Sequence, residues 1–415
     1  MKCLTSKEMR RMKNVPDIRF KGFEEEWNSD LISNFSTSFS GGTPSAGVKE
    51  YYGGNIPFIR SGEINNDRTE LCLTNKGLNN SSAKIIDKGT LLYALYGATS
   101  GEVSISKIKG AINQAILAII PYRFMSSNFL YNFLRCKKNE IVNELLQGGQ
   151  GNLSASLVKG IIVSFPKENE QNDIVSFFSF LDELICNLSN YIKSLKQLKS
   201  ACLISMFPQQ GETVPHVRFK GFDGEWKKKK LNSFSSRITR KNSKLETKLP
   251  VTISALNGII EQTMFFNNIV ASSNLSGYYL VKKGEFAYNK SYSCGFPFGA
   301  VKRMDRYEMG ALSNLYIVFK LEDTVCDDYI LYLFETSTWH KEVSMRASEG
   351  ARNHGLLNIG AEDFLDIDIW VPNDKAEQYQ IASYFRNLDI QISEQEKRLE
   401  KFKQIKAACL DKMFV

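Results

Sequence analysis

Glu170–Phe207 reads EQNDIVSFFSFLDELICNLSNYIKSLKQLKSACLISMF, and the wording returns at Glu377–Phe414 as EQYQIASYFRNLDIQISEQEKRLEKFKQIKAACLDKMF. In the first copy Ile174, Phe178, Leu181, Ile185, Leu188, Ile192, Leu195, Cys202 and Met206 fall on alternating steps of four and three, interrupted only at Lys199. That is the a/d spacing of a coiled-coil seam. In the second copy Ile381, Phe385, Leu388, Ile392, Leu399, Phe402, Cys409 and Met413 keep the register, with Lys406 at the interrupted step and Gln395 in place of Leu188. A stripe this narrow buries poorly alone, so each helix is expected to pack against the other. Roughly 33 residues at about 1.5 Å each make a rod on the order of 50 Å. If a pseudo-twofold axis crosses the rods, they run antiparallel.

A second echo lies upstream of each helix. PDIRFKGFEEEW (Pro16–Trp27) returns as PHVRFKGFDGEW (Pro215–Trp226), and the spacing between these openers differs from the spacing between the helices. Unequal spacings mean that segments of unequal length sit between constant pieces. The chain therefore divides into a tail over 1–15, a first block over 16–169, a helix over 170–207, a linker over 208–214, a second block over 215–376 and a second helix over 377–415. Phe20, Phe23 and Trp27, matched by Phe219, Phe222 and Trp226, are expected to fasten each half to its core or to a helix end.

The blocks between the echoes are rich in strand and loop. Gly89–Pro121 (GTLLYALYGATSGEVSISKIKGAINQAILAIIP) carries short apolar runs parted by Gly, Ser and Asn turns, and Lys282–Met304 is built similarly. GALSNLYIVF (Gly310–Phe319) answers GAINQAILAI (Gly110–Ile119). Each block also holds a helical stretch, Ser126–Leu146 and Cys326–Arg346, and EDFLDIDIW (Glu362–Trp370) alternates as a strand through Leu365, Ile367 and Ile369. The fold class expected is α/β: two similar β-rich domains with helices, each followed by a long helix, the helices pairing as an antiparallel coiled coil with internal pseudo-twofold symmetry.

Bulk composition agrees with a chain of more than one domain. The 415 residues are 43% hydrophobic and 24% charged, no apolar run is long enough to span a bilayer, and MKCLTSKEMRRMKNV lacks the apolar core of a signal peptide. A cytoplasmic protein with no membrane partner is expected. The eight cysteines and three histidines lack metal-ligand spacing, so no metal site is expected. The net charge of +8 permits a polyanionic partner.

Polar, aromatic and basic loops on a β scaffold suit the reading of base edges, since Arg, Lys, Asn and Gln match their donor and acceptor patterns and Ser, Thr and backbone amides hold phosphates. Candidates in the first block are Thr43, Tyr51, Tyr52, Arg60, Ser61, Asn65, Tyr96, Thr99, Asn113 and Gln114. Those in the second are Ser272, Ser273, Asn289, Lys290, Ser291, Tyr292, Arg303 and Asn314. Each also has a structural reading, because Gly, Ser and Asn fill turns and Tyr packs.

Reactive motifs are absent: the dipeptide Gly-Lys of a phosphate-binding loop occurs nowhere, and no NPPY or DPPF tetrapeptide or S-adenosylmethionine loop follows a strand. No catalytic residue is expected. The chain reads as one that recognises. A methyltransferase or nuclease with degenerate motifs and a coiled-coil adaptor with two protein-binding heads are the rival readings.

The order of opener, variable block and long helix, used twice, resembles the specificity subunit of type I restriction-modification enzymes over nearly the whole chain. The words that carry the resemblance are GGTPS, EYYGGNIPFIRSGEI, YGATSGEV with NQAI, YNKSYSCGFPFGAVKR, and the EQ that starts each helix. It implies two target-recognition domains, each reading half of a split, asymmetric double-stranded DNA site, the first taking the 5′ half, with the helices as a ruler for the unread spacer. It also implies two methyltransferase subunits and the restriction subunits as partners. S-adenosylmethionine, ATP and Mg would belong to those partners, with no cofactor in this chain.

Overall fold

The computed structural model describes residues 14–146, 152–266, 274–293, 295–347 and 357–415. They form two compact units, Met1–Ser189 with Arg398–Val415, and Asn190–Lys397.

Unit 1 begins with β1 (Asn28–Leu31), β2 (Ser36–Ser40), β3 (Tyr52–Ile59), β4 (Leu71–Leu73) and β5 (Lys84–Ile86). It continues with β6 (Leu91–Ala94), β7 (Val103–Ile105), β8 (Gly110–Ile112), β9 (Ile116–Pro121) and β10 (Ile162–Phe165). Three sheets result, in the orders β1-β10, β2-β9-β6-β7 and β4-β3-β8-β5. β3 and β8 run parallel and the other pairs antiparallel. Leu92, Ala94, Ile116 and Ala118 on one four-stranded sheet pack with Ile59, Ile86 and Ile112 on the other. The opposite face of the first sheet, with Leu91, Tyr93, Leu117 and Ile119, buries against helices. Strands covered on both faces explain why Leu91–Ala94 is apolar at every position.

Those helices are α1 (Ser127–Cys136) and α2 (Lys138–Leu146), with the two ends of the seam. Ser126 caps α1 by accepting a hydrogen bond from the Phe129 amide. The helix expected over 126–146 breaks at Lys137, whose ψ of 5° leaves the helical range. The first long helix, α3, runs Glu168–Ser205, close to its expected bounds.

Unit 2 repeats this plan strand for strand. It holds β11 (Lys227–Lys230), β12 (Ser235–Ile238), β13 (Pro250–Ser254), β14 (Gly258–Glu261), β15 (Tyr279–Lys282), β16 (Phe286–Asn289), β17 (Ala300–Arg303), β18 (Met309–Leu312), β19 (Ile317–Leu321) and β20 (Asp368–Val371). The orders β11-β20, β12-β19-β16-β17 and β14-β13-β18-β15 match those of unit 1. Its helices are α4 (Asp327–Leu333), α5 (His340–Arg346) and the second long helix, α6 (Lys375–Met413). The stretch expected as one helix over 326–346 is split where the Thr336 hydroxyl donates to Leu333 O, a side-chain bond that competes with helix continuation. Leu365 closes a helical turn, Ala361–Leu365, so the expected alternation becomes strand only from Asp368.

The seam pairs antiparallel inside each unit. In unit 1, Ile174, Phe178 and Leu181 from the start of α3 share a core with Phe402, Cys409 and Met413 from the end of α6. In unit 2 the roles are exchanged, and Leu195, Cys202 and Met206 from the end of α3 meet Ile381, Phe385, Leu388 and Ile392. Ile192 is buried as well, whereas Ile185, Leu188 and Leu399 are half-buried. Each helix is followed by a phenylalanine that plugs a core. Phe414 stacks on Phe178 and lies against Trp27 and Phe129. Phe207 does the same with Phe385, Trp226 and Tyr329.

The openers are joints. The Arg19 guanidinium grips both oxygens of buried Glu170 at 2.7 Å, and Arg218 grips both oxygens of Glu377 at 2.7 and 2.8 Å. These glutamates are the E of the EQ dyads. The glutamines serve equally: Gln171 accepts from the Ser126 amide and donates to Phe124 O and Pro166 O. Gln378 accepts from the Cys326 amide and donates to Pro372 O. Each dyad thus satisfies the backbone where strand, helix and seam meet, which a buried junction requires. Trp27 and Trp226 are buried as expected, and Phe20 sits edge-on to Phe177.

Candidate functional site

The polar candidates of unit 1 gather around one turn, Asn113–Ala115, between β8 and β9. The Asn113 amide donates to Ile59 O at 3.3 Å, which brings Arg60 and Ser61 beside the turn. The Leu95 amide donates to Ala115 O at 2.8 Å and brings up the 3₁₀ turn Gly97–Thr99 with Tyr96 before it. The Thr43 hydroxyl donates to Gln114 Oε1 at 2.5 Å. Glycine makes that approach possible: a Cβ on Gly41 would lie 1.8 Å from Ile112 O, so this GGTPS loop tolerates no side chain there. The Tyr52 hydroxyl fixes the far side of the loop by donating to Pro44 O at 2.7 Å, and Tyr51 closes a 3₁₀ turn just before it.

One candidate stands apart and another is already engaged. Asn65 lines a separate cleft of about 450 Å³ with Asn128 and Asn132. Arg60 is engaged by carboxylates, with Nε 2.9 Å from Glu63 and Nη2 2.5 Å from Glu70, and these hydrogen bonds hold its pKa above the ordinary arginine value. A base would compete with both for its guanidinium.

Unit 2 builds a comparable cluster around Ser313–Tyr316, the turn between β18 and β19. The register Tyr288↔Ile317 carries Asn289 to Tyr292 alongside it. Asn289 Oδ1 accepts from the Ser291 amide at 3.0 Å, Lys290 donates to Ile359 O at 3.3 Å, and Tyr292 is exposed. Asn314 Oδ1 accepts from Lys241 Nζ at 2.6 Å. Arg303 lies at the far end of its strand pair, opposite Phe286. Burial works against its charge, but Asp305 and Asp328, each 2.7 Å away, outweigh that and raise its pKa. Ser272 and Ser273 lie outside the described residues.

Lys241 is the residue the sequence reading missed. The signal was available: aligning the halves by their strands sets the basic run Arg240–Lys241 against the GGTPS loop, where a lysine replaces a glycine-rich approach. β11 is a second difference, an exposed strand of four lysines where unit 1 has Asn28–Leu31. Lys228 is tied down by Glu342 at 3.2 Å and by the Trp370 ring, and Lys230 by Asp366 at 2.5 Å.

Among the described residues no cluster of His, Cys, Asp and Glu could hold a metal ion, and no helix is long and apolar enough to cross a membrane. The arrangement offers hydrogen-bonding edges on two rigid frames of the same design, with different side chains at equivalent places.

Comparison with known proteins agrees with this geometry. Residues 24–198 match the family described as Type I restriction modification DNA specificity domain. The specificity subunit of the type I restriction enzyme MjaIX from Methanocaldococcus jannaschii is 30% identical over 182 residues, 42% of each chain. That of HindI from Haemophilus influenzae is 30% identical over 163 residues, 37% of this chain and 35% of that one. The chain thus aligns with less than half the length of these curated relatives. Among solved structures, the type I restriction-modification S subunit from M. genitalium aligns with 97% of this chain and 99% of its own, at a TM-score of 0.58 and 15% identity. A chain from a study of complex assembly and conformational transition of the type I R-M system aligns with 94% of this chain and 97% of its own, at a TM-score of 0.53 and 14% identity. At such identities the likeness is one of fold.

Proposed function

We propose that this chain is a specificity subunit of the type I restriction-modification family, reads double-stranded DNA with its two β-rich units and holds the subunits that act on it. One observation carries the reading: the same ten-strand frame occurs twice, and the side chains on its equivalent turns differ. A duplicated frame with unlike edges suits a split site whose halves have different sequences, whereas identical edges would suit a palindrome. Thr43, Asn113 and Gln114 with the Tyr96–Thr99 turn form the first reading edge; Asn289, Ser291, Tyr292 and Asn314 form the second. Lys227 and Lys229 suit phosphate contacts, which position a protein on a duplex without specifying sequence.

The paired helices α3 and α6 act in this reading as a ruler that sets the unread gap between the half-sites. The chain itself is non-catalytic and takes no cofactor. Two methyltransferase subunits bring S-adenosylmethionine and the pocket that a base-modifying step requires, and restriction subunits bring ATP and Mg. The assembly works in the cytoplasm.

The test is to express the chain with a partner methyltransferase in a host lacking other DNA methylation and to map methylated adenines. An interrupted, asymmetric motif is expected, and deletion of residues 215–376 should abolish it. Methylation by the chain without a partner, or a complex that binds DNA with no sequence preference, would overturn the proposal.

A further inference from the structure

We infer that the Lys241–Asn314 pair of unit 2 selects a guanine and that the comparable Thr43–Gln114 pair of unit 1 selects an adenine. This rests on the DNA-reading function proposed above and goes beyond it by assigning a base class to each edge.

The amide members are equivalent by register, and their partners sit one position apart on the matching segment, Lys241 answering Gly42 rather than Thr43. β8 runs parallel to β3 with Ala111 against Phe58, and β18 runs parallel to β13 with Ala311 against Pro250. Gln114 and Asn314 each stand three residues beyond those alanines, in turns that lead into β9 and β19. Each amide oxygen accepts from a side chain on the segment that leaves β2 or β12. All four side chains belong to exposed residues.

What differs is the hydrogen-bonding pattern left over. Lys241 Nζ has three hydrogens and no lone pair to offer. One hydrogen goes to Asn314 Oδ1 at 2.6 Å, and the ammonium rests 3.9 Å from the centroid of the Tyr279 ring, the residue bridged opposite it. Cation–π contact and hydrogen bond together fix the amine. The Asn314 oxygen is engaged by the lysine, so its amide offers two N–H groups. This edge presents donors beside donors. In the major groove the matching base is guanine, whose O6 and N7 are both acceptors.

In unit 1 the Thr43 hydrogen is spent on Gln114 Oε1. The hydroxyl oxygen keeps lone pairs to accept with, while the Gln114 amide keeps two N–H groups to donate. An acceptor beside a donor matches adenine, which offers an N6 hydrogen and the N7 acceptor on one edge. Two comparable pairs therefore select different purines, because a lysine amine holds the amide oxygen in one and a threonine hydroxyl holds it in the other.

The test uses the full chain with its partner methyltransferase, and motif mapping in a host without other methylation. The motif is expected to contain a G·C pair in one half and an A·T pair in the other. Lys241→Ala should relax the G·C pair alone, with preference falling roughly 5- to 150-fold, the discrimination of one good base contact. Lys241→Arg keeps the donors and should keep the guanine. Gln114→Ala should relax the A·T pair in the other half only. The inference is overturned if Lys241→Ala leaves the motif unchanged, weakens methylation equally at all sequences, or alters both halves. It is also overturned if Lys241→Ala and Lys241→Arg both abolish methylation, since the pair would then be holding the unit together. A wild-type complex with no motif at all would instead overturn the DNA-reading function.

Discussion

Lys199 Nζ lies 2.7 Å from Asp389 Oδ1, and the residues that repeat them, Lys406 and Asp182, form the reciprocal ion pair. The interruption of the apolar seam is therefore a matched polar layer, made once in each unit. Their surroundings differ. Glu335 sits 2.8 Å from Lys199, so although burial lowers the lysine's pKa, the two carboxylates outweigh it and raise the value above the ordinary one. For Lys406 burial prevails over Asp182, Arg135 adds repulsion, and the value falls.

The two lysines should therefore respond to alkali with opposite signs. A raised folded value means that Lys199 stabilises fully below the ordinary lysine pKa of about 10.4, and that this is lost as pH climbs through the folded value. A lowered value means that unit 1 gains stability between the folded value of Lys406 and about 10.4. Lys199→Met should cost about 1–2 kcal/mol at pH 8, because Asp389 is partly exposed and screened. Urea unfolding from pH 8 to 11 checks the sign: the penalty for Lys199→Met should shrink and that for Lys406→Met should grow.

Arg218→Ala should destabilise unit 2 by about 3 kcal/mol, since Glu377 is only 1% exposed and would keep a buried charge without its cation. Adding Glu377→Gln should recover part of the loss, because the charge is then gone. Denaturant unfolding of the single and double variants measures this. Equal losses in both would mean that the arginine acts through packing alone.

Phe414→Ala should cost about 3–5 kcal/mol, the range for deleting a buried aromatic ring. The loss belongs to unit 1, whose Trp27 and Phe129 line the cavity left behind. Hydrogen exchange should rise in β6, β9 and α1 more than in β16 and β19.

Arg303→Ala should act on stability, by about 2–3 kcal/mol, because it strips Asp328 of a partner and uncovers the Phe286 ring. The methylated motif should be unchanged. Relaxation confined to one half-site would instead place Arg303 among the base readers.

The ruler makes its own demand on the helix pair. Four residues inserted near Ser194 add about 6 Å, close to two base-pair steps. Because Lys199 and Lys406 each need an aspartate on the other helix, the insertion has to be made in both helices, near Ser194 and near Lys401. Motif mapping should then show a longer gap between unchanged half-sites, while insertion in α3 alone should disrupt the polar layers and lower stability. An unchanged gap with activity retained would count against the ruler.

Much of this architecture was legible in the residues, for physical reasons. The seam announces itself because a helix that buries one stripe must repeat its apolar residues, and Leu181, Leu195 and Leu388 do so. GALSNLYIVF answered GAINQAILAI because both encode a strand, a polar turn and a second strand. What stayed hidden depended on distant partners. Arg19 and Arg218 sit in the openers, where nothing local points to Glu170 and Glu377 as their partners. Arg60 and Arg303 were attractive as readers because the carboxylates that occupy them are identified only by the fold. Lys241 was passed over in a basic loop, since nothing local says that a tyrosine from β15 lies beneath it.

The exchanged helix ends bear on how the polypeptide emerges from the ribosome. Asn190–Lys397 is an unbroken run, so unit 2 can complete its core as soon as its own length has been made. Unit 1 waits for Phe414. The half translated first is finished last, and until then Trp27 and Phe178 stand without the ring that covers them. A growing chain of this design exposes a ready-made apolar cleft throughout synthesis, which makes the nascent protein a natural client for chaperones that shield unfinished cores.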